Sequence, residues 1–168
     1  MHYRISWLLI GILFSSLACN STTKVLPMNQ QLNISAQCRG NTQCVFNGKD
    51  IFIDISIINK QGVDVGFPLE YVQKTGPSIE LTDTKTKASS YVRKNLADHS
   101  LRDNFFTIQS GKSATLEWII TADELNQFNK DCVDITAKII VASEILVDGK
   151  KVNFQGSDLL KFSDKRCK

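Results

Sequence analysis

Asp98, His99 and Ser100 stand side by side and carry the three groups that nucleophilic acyl transfer uses, an acid, an imidazole and a hydroxyl. A working triad is set by geometry, base touching nucleophile and acid touching base. Three consecutive residues of an extended chain point to alternating sides, so this run reads as a surface loop with a single imidazole. Ser110–Ser113 (SGKS) ends like a phosphate-binding loop, whose full form needs a Gly five positions before Gly111 and a helix after it. Phe106 holds that position and a strand-like alternation follows, so Gly111 reads as a hairpin turn. Asp123 with Glu124, or Glu70 with Glu80, are carboxylate pairs of the kind that glycoside hydrolysis uses. Thr121-Ala122-Asp123-Glu124 has capping-box form, however, which places the first pair at a helix N-terminus. No nucleophile, base or metal-ligand constellation emerges. The expectation is a protein without catalysis, cofactor or metal.

Cysteine chemistry points elsewhere. Apart from Cys19 there are four cysteines, Cys38, Cys44, Cys132 and Cys167. An even number suits disulfides in an oxidising compartment, and four permit three connectivities. Cys38 with Cys44 and Cys132 with Cys167 are preferred, because QCRGNTQC brackets a polar Gly and Asn turn that brings its own ends together. In the chain-entropy description the two rings contribute about 2.4 and 3.8 kcal/mol. A zinc site would want paired C-x-x-C spacing, which is absent.

The elements that must position these residues begin at the N-terminus. Met1–Arg4 is a short basic start and Ile5–Leu17 an apolar run, the layout of a secretory signal. That run is well short of the roughly 20 residues a membrane-spanning helix needs. Without residues 1–18 the chain loses Arg4 and no acid, so the net charge falls from +3 to +2. Basic residues are scattered, as at Lys85, Lys87, Arg93, Lys94, Lys150 and Lys151. The densest group, Lys165–Lys168, adjoins Asp164 and reads as a solvated tail, so no nucleic-acid partner is expected. Asn20–Gln31 is polar and aperiodic, a tether that at about 3.3 Å per residue reaches about 40 Å.

From Leu32 onward, short β-rich runs alternate with turns, the pattern of an all-β sandwich. Ile51, Ile53, Ile55 and Ile57 share one face of the strongest strand. Ala114, Leu116, Trp118 and Ile120 share a face of another, as do Val133, Ile135, Ala137, Ile139 and Val141. Asp148-Gly149 sits where a type I′ hairpin needs positive φ. Val63–Val72 is interrupted by Gly66 and Pro68, which predicts an edge strand or a bulge. If it is an exposed edge, Phe67, Leu69 and Tyr71 lie where a partner strand or loop would add. The total is eight or nine strands with one short helix.

Two stretches resemble known families. Ser15-Ser16-Leu17-Ala18 before Cys19 resembles the lipobox of bacterial lipoproteins, where a signal peptidase cuts between Ala18 and Cys19 and the Cys is lipidated. The resemblance implies a signal peptide (1–18), a lipidated tether (19–31) and a domain (32–168). It also implies a thioether-linked diacylglycerol and an acylated amine, more than the two acyl signals that anchor stably. Asn20 in place of Asp implies the outer membrane of a Gram-negative envelope, facing the periplasm. A strand ending at Asn59, the Gly62 turn, Phe67-Pro68 and SGKSATLEW resemble the immunoglobulin-like β-sandwich of exported bacterial proteins, and some small bacterial proteinase inhibitors share that plan over roughly residues 48–142. The expected function is a lipid-anchored, non-catalytic interaction module with an unidentified envelope protein as partner. The alternative is a periplasmic inhibitor or immunity protein against a hydrolase or toxin.

Overall fold

Isoleucine at every second position from 51 to 57 is a β-branched stripe suited to a pleated strand, and all four side chains are buried in the computed structural model. The structure describes residues 32–40, 43–128 and 132–164. The order of elements is β1 (Leu32–Cys38), β2 (Val45–Phe46), β3 (Ile51–Asn59), β4 (Val65–Phe67), α1 (Leu69–Thr75), β5 (Ser78–Asp83), β6 (Ser89–Tyr91), a 3-10 helix (His99–Asp103), β7 (Phe106–Ile108), β8 (Ser113–Ile120), α2 (Ala122–Asn126), β9 (Asp134–Val147) and β10 (Lys150–Asp164). The protein is therefore mostly β, as its patterning predicts.

The strands form two sheets around one core. The smaller has the order β1-β3-β8, all antiparallel, with Ile55 opposite both Ala36 and Leu116. The larger follows β2-β10-β9-β4-β7, with β5 also on β9 and β6 on β5. Ile53, Ile55 and Leu116 from the first sheet and Ile79, Leu81, Ile135, Ile139 and Phe162 from the second are all fully buried in a single cluster. Each such side chain contributes about 1.5–3 kcal/mol on burial. The spine of the larger sheet is the β9–β10 hairpin. Its two-residue turn has φ of 49° at Asp148 and 72° at Gly149, the left-handed pair a type I′ turn needs.

Several expectations change here. Ten strands and two α-helices stand among the described residues, against eight or nine strands and one helix. The residues after Phe154 pair with β9 as far as Ser163, where no strand was expected. Gly111 is not a hairpin turn: β7 belongs to the larger sheet and β8 to the smaller, so the turn carries the chain between sheets. The β3 to β4 link crosses the same way, and buried Asn59 ties the two crossings together. Its Nδ2 donates to the carbonyls of Val63 at 2.9 Å and Ile108 at 2.8 Å, and its Oδ1 accepts from Gln61 N–H at 2.9 Å. A buried amide needs such partners, since each unmet group costs about 1–3 kcal/mol.

The free edges of the smaller sheet are met by side chains. Gln73 of α1 both donates to and accepts from the backbone of Glu117 on β8, at 2.8 and 3.1 Å, as a neighbouring strand would. Asp158 of β10 accepts from Ala36 N–H of β1 at 2.8 Å. Unpaired strand edges invite further chains, and each of these contacts takes up a position on one edge. The Cys38–Cys44 disulfide, as expected, closes the corner where the chain passes from β1 to β2 in the other sheet.

Candidate functional site: a gap in the larger sheet

Val63–Val72 does not form the expected exposed edge. β4 lies between β7 and β9, and Phe67 is fully buried, its ring meeting Phe154 edge-on at 6.4 Å. Pro68 then ends the strand. Lacking an N–H, it cannot extend a ladder, but its fixed φ suits a helix start, and α1 follows directly. Leu69 and Tyr71 are thus helical and half-buried against the core. Neither predicted outcome, edge strand or bulge, forms: the chain leaves the sheet after Phe67 for a short helix.

Gly66 pairs with Leu146 and Ser78 with Ile140, so β4 and β5 run along the same side of β9 in the same direction. They are two parts of one strand path, and α1 is a detour between them. A helix this short is marginal alone and is held by tertiary contacts. Val72 is buried, Glu70 pairs with Lys74 at 2.8 Å, and Gly76 N–H closes the end on Val72 C=O at 2.9 Å. Lys74 is the main cause that holds the Glu70 carboxyl below its ordinary pKa. Gly76 has φ 82° and ψ 159°, and a Cβ there would lie 2.3 Å from Cη2 of Trp118, so the bare glycine lets the indole close over the turn.

Residues 141–145 of β9 consequently have no strand beside them on the α1 side. The direction of their backbone groups follows from the strand's ends. Val133 C=O accepts from Asp164 N–H on the β10 side, and Asp134 C=O accepts from Thr84 N–H on the other. Alternation along the strand therefore aims the N–H and C=O of Ala142 and Glu144 into the gap. The gap opens into a cleft of about 710 Å³. Its floor is Val72, Val141 and Phe154, one wall is the Thr75–Ser78 turn, and Lys94, Asn95, Arg102 and Glu144 stand around it. Arg102 stacks over the Tyr71 ring at 4.9 Å. Neither Lys94 nor Arg102 has a carboxylate partner among the described residues, whereas Lys151 is held by Asp103. That contact raises the Lys151 pKa, with the field of Glu144 adding to it.

The other predicted residues lie elsewhere. The Asp98 carboxylate accepts from Ser100 N–H at 2.9 Å, which keeps its pKa low and caps the 3-10 helix; His99 and Ser100 are exposed on that helix. Glu124 completes the expected capping box with Thr121; of the other acid pair, Glu70 stands on α1 in an ion pair with Lys74 and Glu80 on β5. Cys132 is disulfide-bonded. Cys167, the cleavage position at Ala18 and the lipidation position Cys19 lie outside the described residues, so the expected Cys132–Cys167 pairing does too. Sequence reasoning missed Lys94, Arg102, Ala142 and Glu144. The one signal toward them was the Gly66 and Pro68 break in a run otherwise fit for a strand.

The chain matches no family model and no curated protein. Among solved structures it is similar to a Northeast Structural Genomics Consortium target, SoR45, at 11% identity over 80% of this chain and 88% of that one, with a TM-score of 0.42. It is also similar to the alkylpurine DNA glycosylase AlkC of Pseudomonas fluorescens bound to DNA containing an abasic site analog, at 11% identity over 79% of this chain and 30% of that one, TM-score 0.37. A protein from Archaeoglobus fulgidus is similar at 12% identity over 80% and 98% of the two chains, TM-score 0.35. At these TM-scores none of the likenesses speaks to function.

Proposed function

We propose that this protein is a lipid-anchored, non-catalytic binding module of the cell envelope that receives a protein partner at the cleft beside β9. The observation that carries this reading is the unpaired stretch 141–145, opened by the α1 detour while Gln73 and Asp158 occupy edge positions of the smaller sheet. A molecule that sets side chains on the edges of its smaller sheet and leaves this inner stretch of β9 unpaired has a place for another chain. We read the body as an immunoglobulin-like sandwich, supported by the two sheets with one core and the crossings at Asn59. Cys19 supplies the anchor and the tether 19–31 the reach, on the lipobox resemblance and the polar composition of Asn20–Gln31.

Photocrosslinkers placed at Ala142 in the cleft and at Thr115 on the outer face of the smaller sheet test this in living cells. We expect a discrete adduct from position 142, absent at 115, that disappears together with acyl-chain labelling in Cys19→Ala. Equal adducts from both positions would contradict the cleft, and unchanged acyl labelling of Cys19→Ala would contradict the anchor.

A further inference from the structure

We infer that the cleft takes an extended, acidic segment of another polypeptide, which pairs with the bare edge of β9 and so completes the strand that α1 interrupts. The inference rests on the reading of this protein as a binding module and names the chemistry of its partner. Ala142 and Glu144 each direct a donor and an acceptor into the gap, spaced two residues apart as a ladder requires. Five residues of β9 span about 17 Å, room for a short strand rather than a compact domain. The cleft's volume, about 710 Å³, is in the range of pockets that enclose a small ligand or short peptide.

Charge decides the segment's composition. Lys94 and Arg102 bring to the cleft two cations that have no carboxylate partner among the described residues, against the single acid Glu144, so two positive charges less one negative leave the lining at +1. Acidic side chains on the incoming strand would meet both cations. The chain's own tether, NSTTKVLPMNQQ, holds one Lys and no acid, so it lacks the complementary charge. Arg102 is already oriented by its stack on Tyr71, which favours a planar carboxylate contact at little cost in side-chain freedom.

The probe is a fluorescein-labelled hexapeptide, Thr-Val-Glu-Ile-Glu-Thr, titrated by anisotropy against the purified full-length product in detergent. Its lysine counterpart, a copy N-methylated at alternate amides and NSTTKVLPMNQQ serve as comparisons. The acidic peptide binds, each of Lys94→Glu and Arg102→Glu weakens it about tenfold, and the lysine peptide is weaker by at least as much. N-methylation abolishes binding, as does Ala142→Pro, which removes an N–H that faces the gap. Should Ala142→Pro fail to fold, the N-methylated peptide decides the same point. Equal binding of acidic and basic peptides, indifference to N-methylation, preference for the tether peptide, or no peptide binding would each overturn the inference. An Ala142 crosslink that persists without peptide binding would overturn it alone, while loss of both would overturn the binding-module reading as well.

Discussion

Gly76→Ala probes the turn that holds the α1 detour open. At φ 82° and ψ 159° the residue occupies a region that is essentially reserved for glycine, costing alanine about 1–3 kcal/mol. The added Cβ would lie 2.3 Å from both Cη2 and Cζ2 of Trp118, far inside contact distance, so the ring must move, at about another 1–3 kcal/mol. Together these give an expected loss of about 4 kcal/mol. The two parts separate in a Trp118→Leu background, where the ring atoms are gone and only the backbone cost remains. A double-mutant cycle by urea unfolding, followed by far-UV circular dichroism, should therefore give a coupling of about 2 kcal/mol between positions 76 and 118. Trp118 and Trp7 are the two tryptophans, so in a chain lacking residues 1–18 the fluorescence of Trp118 alone should also shift in Gly76→Ala. Equal costs in both backgrounds, or a loss below about 1 kcal/mol, would refute the packing of indole on glycine as the clamp on this turn.

Asn59→Ala leaves two carbonyls and an N–H without partners inside the protein and should cost about 3 kcal/mol or more by urea unfolding; a loss under about 1 kcal/mol would mean that the two crossings are held otherwise. Replacing Cys38 and Cys44 together by Ser should lower stability by about 2.4 kcal/mol in the same assay, with little change in the far-UV spectrum of the folded form. Asp83 is buried, and the N–H of Thr86 is the main cause holding its carboxyl below the usual carboxylate range. Burial opposes this, while the Thr86 hydroxyl and Lys85 N–H reinforce it. A depressed folded pKa gives stability that is present above the unfolded value of about 3.9 and is lost as pH falls through the folded one. The stability difference between wild type and Asp83→Asn should accordingly shrink below about pH 4, and a constant difference would contradict this role.

Local periodicity carried much of the fold. The stripes at Ile51–Ile57, Ala114–Ile120 and Val133–Val141 bury as their alternation requires, and Asp148-Gly149, Thr121–Glu124 and Cys38–Cys44 each make the motif their spacing encodes. These are contacts within a few residues, so the local sequence suffices. What pairs with what depends on distant segments. Ser110-Gly111-Lys112 has the chemistry of a turn in either setting, and nothing near it says whether the flanking strands share a sheet. Leu159 and Leu160 sit among polar residues with no clean alternation, and their long strand exists because β9 offers a partner along that length. Pro68 announced a break without its outcome, since a seven-residue helix is decided by contacts made only in three dimensions, Val72 in the core, Gln73 on the backbone of Glu117 and Gly76 against Trp118. The cleft follows from that detour, which is why its residues were not legible in advance.

Residue-resolved amide exchange along β9 tests the central claim most directly. In the free protein the N–H groups of Val141, Ser143 and Ile145, which face β10, should exchange slowly, while those of Ala142 and Glu144 exchange fast. Adding the acidic hexapeptide should slow Ala142 and Glu144 and leave their neighbours unchanged. Slow exchange at both positions in the free protein, or fast exchange that the peptide does not alter, would contradict an open edge awaiting a partner strand.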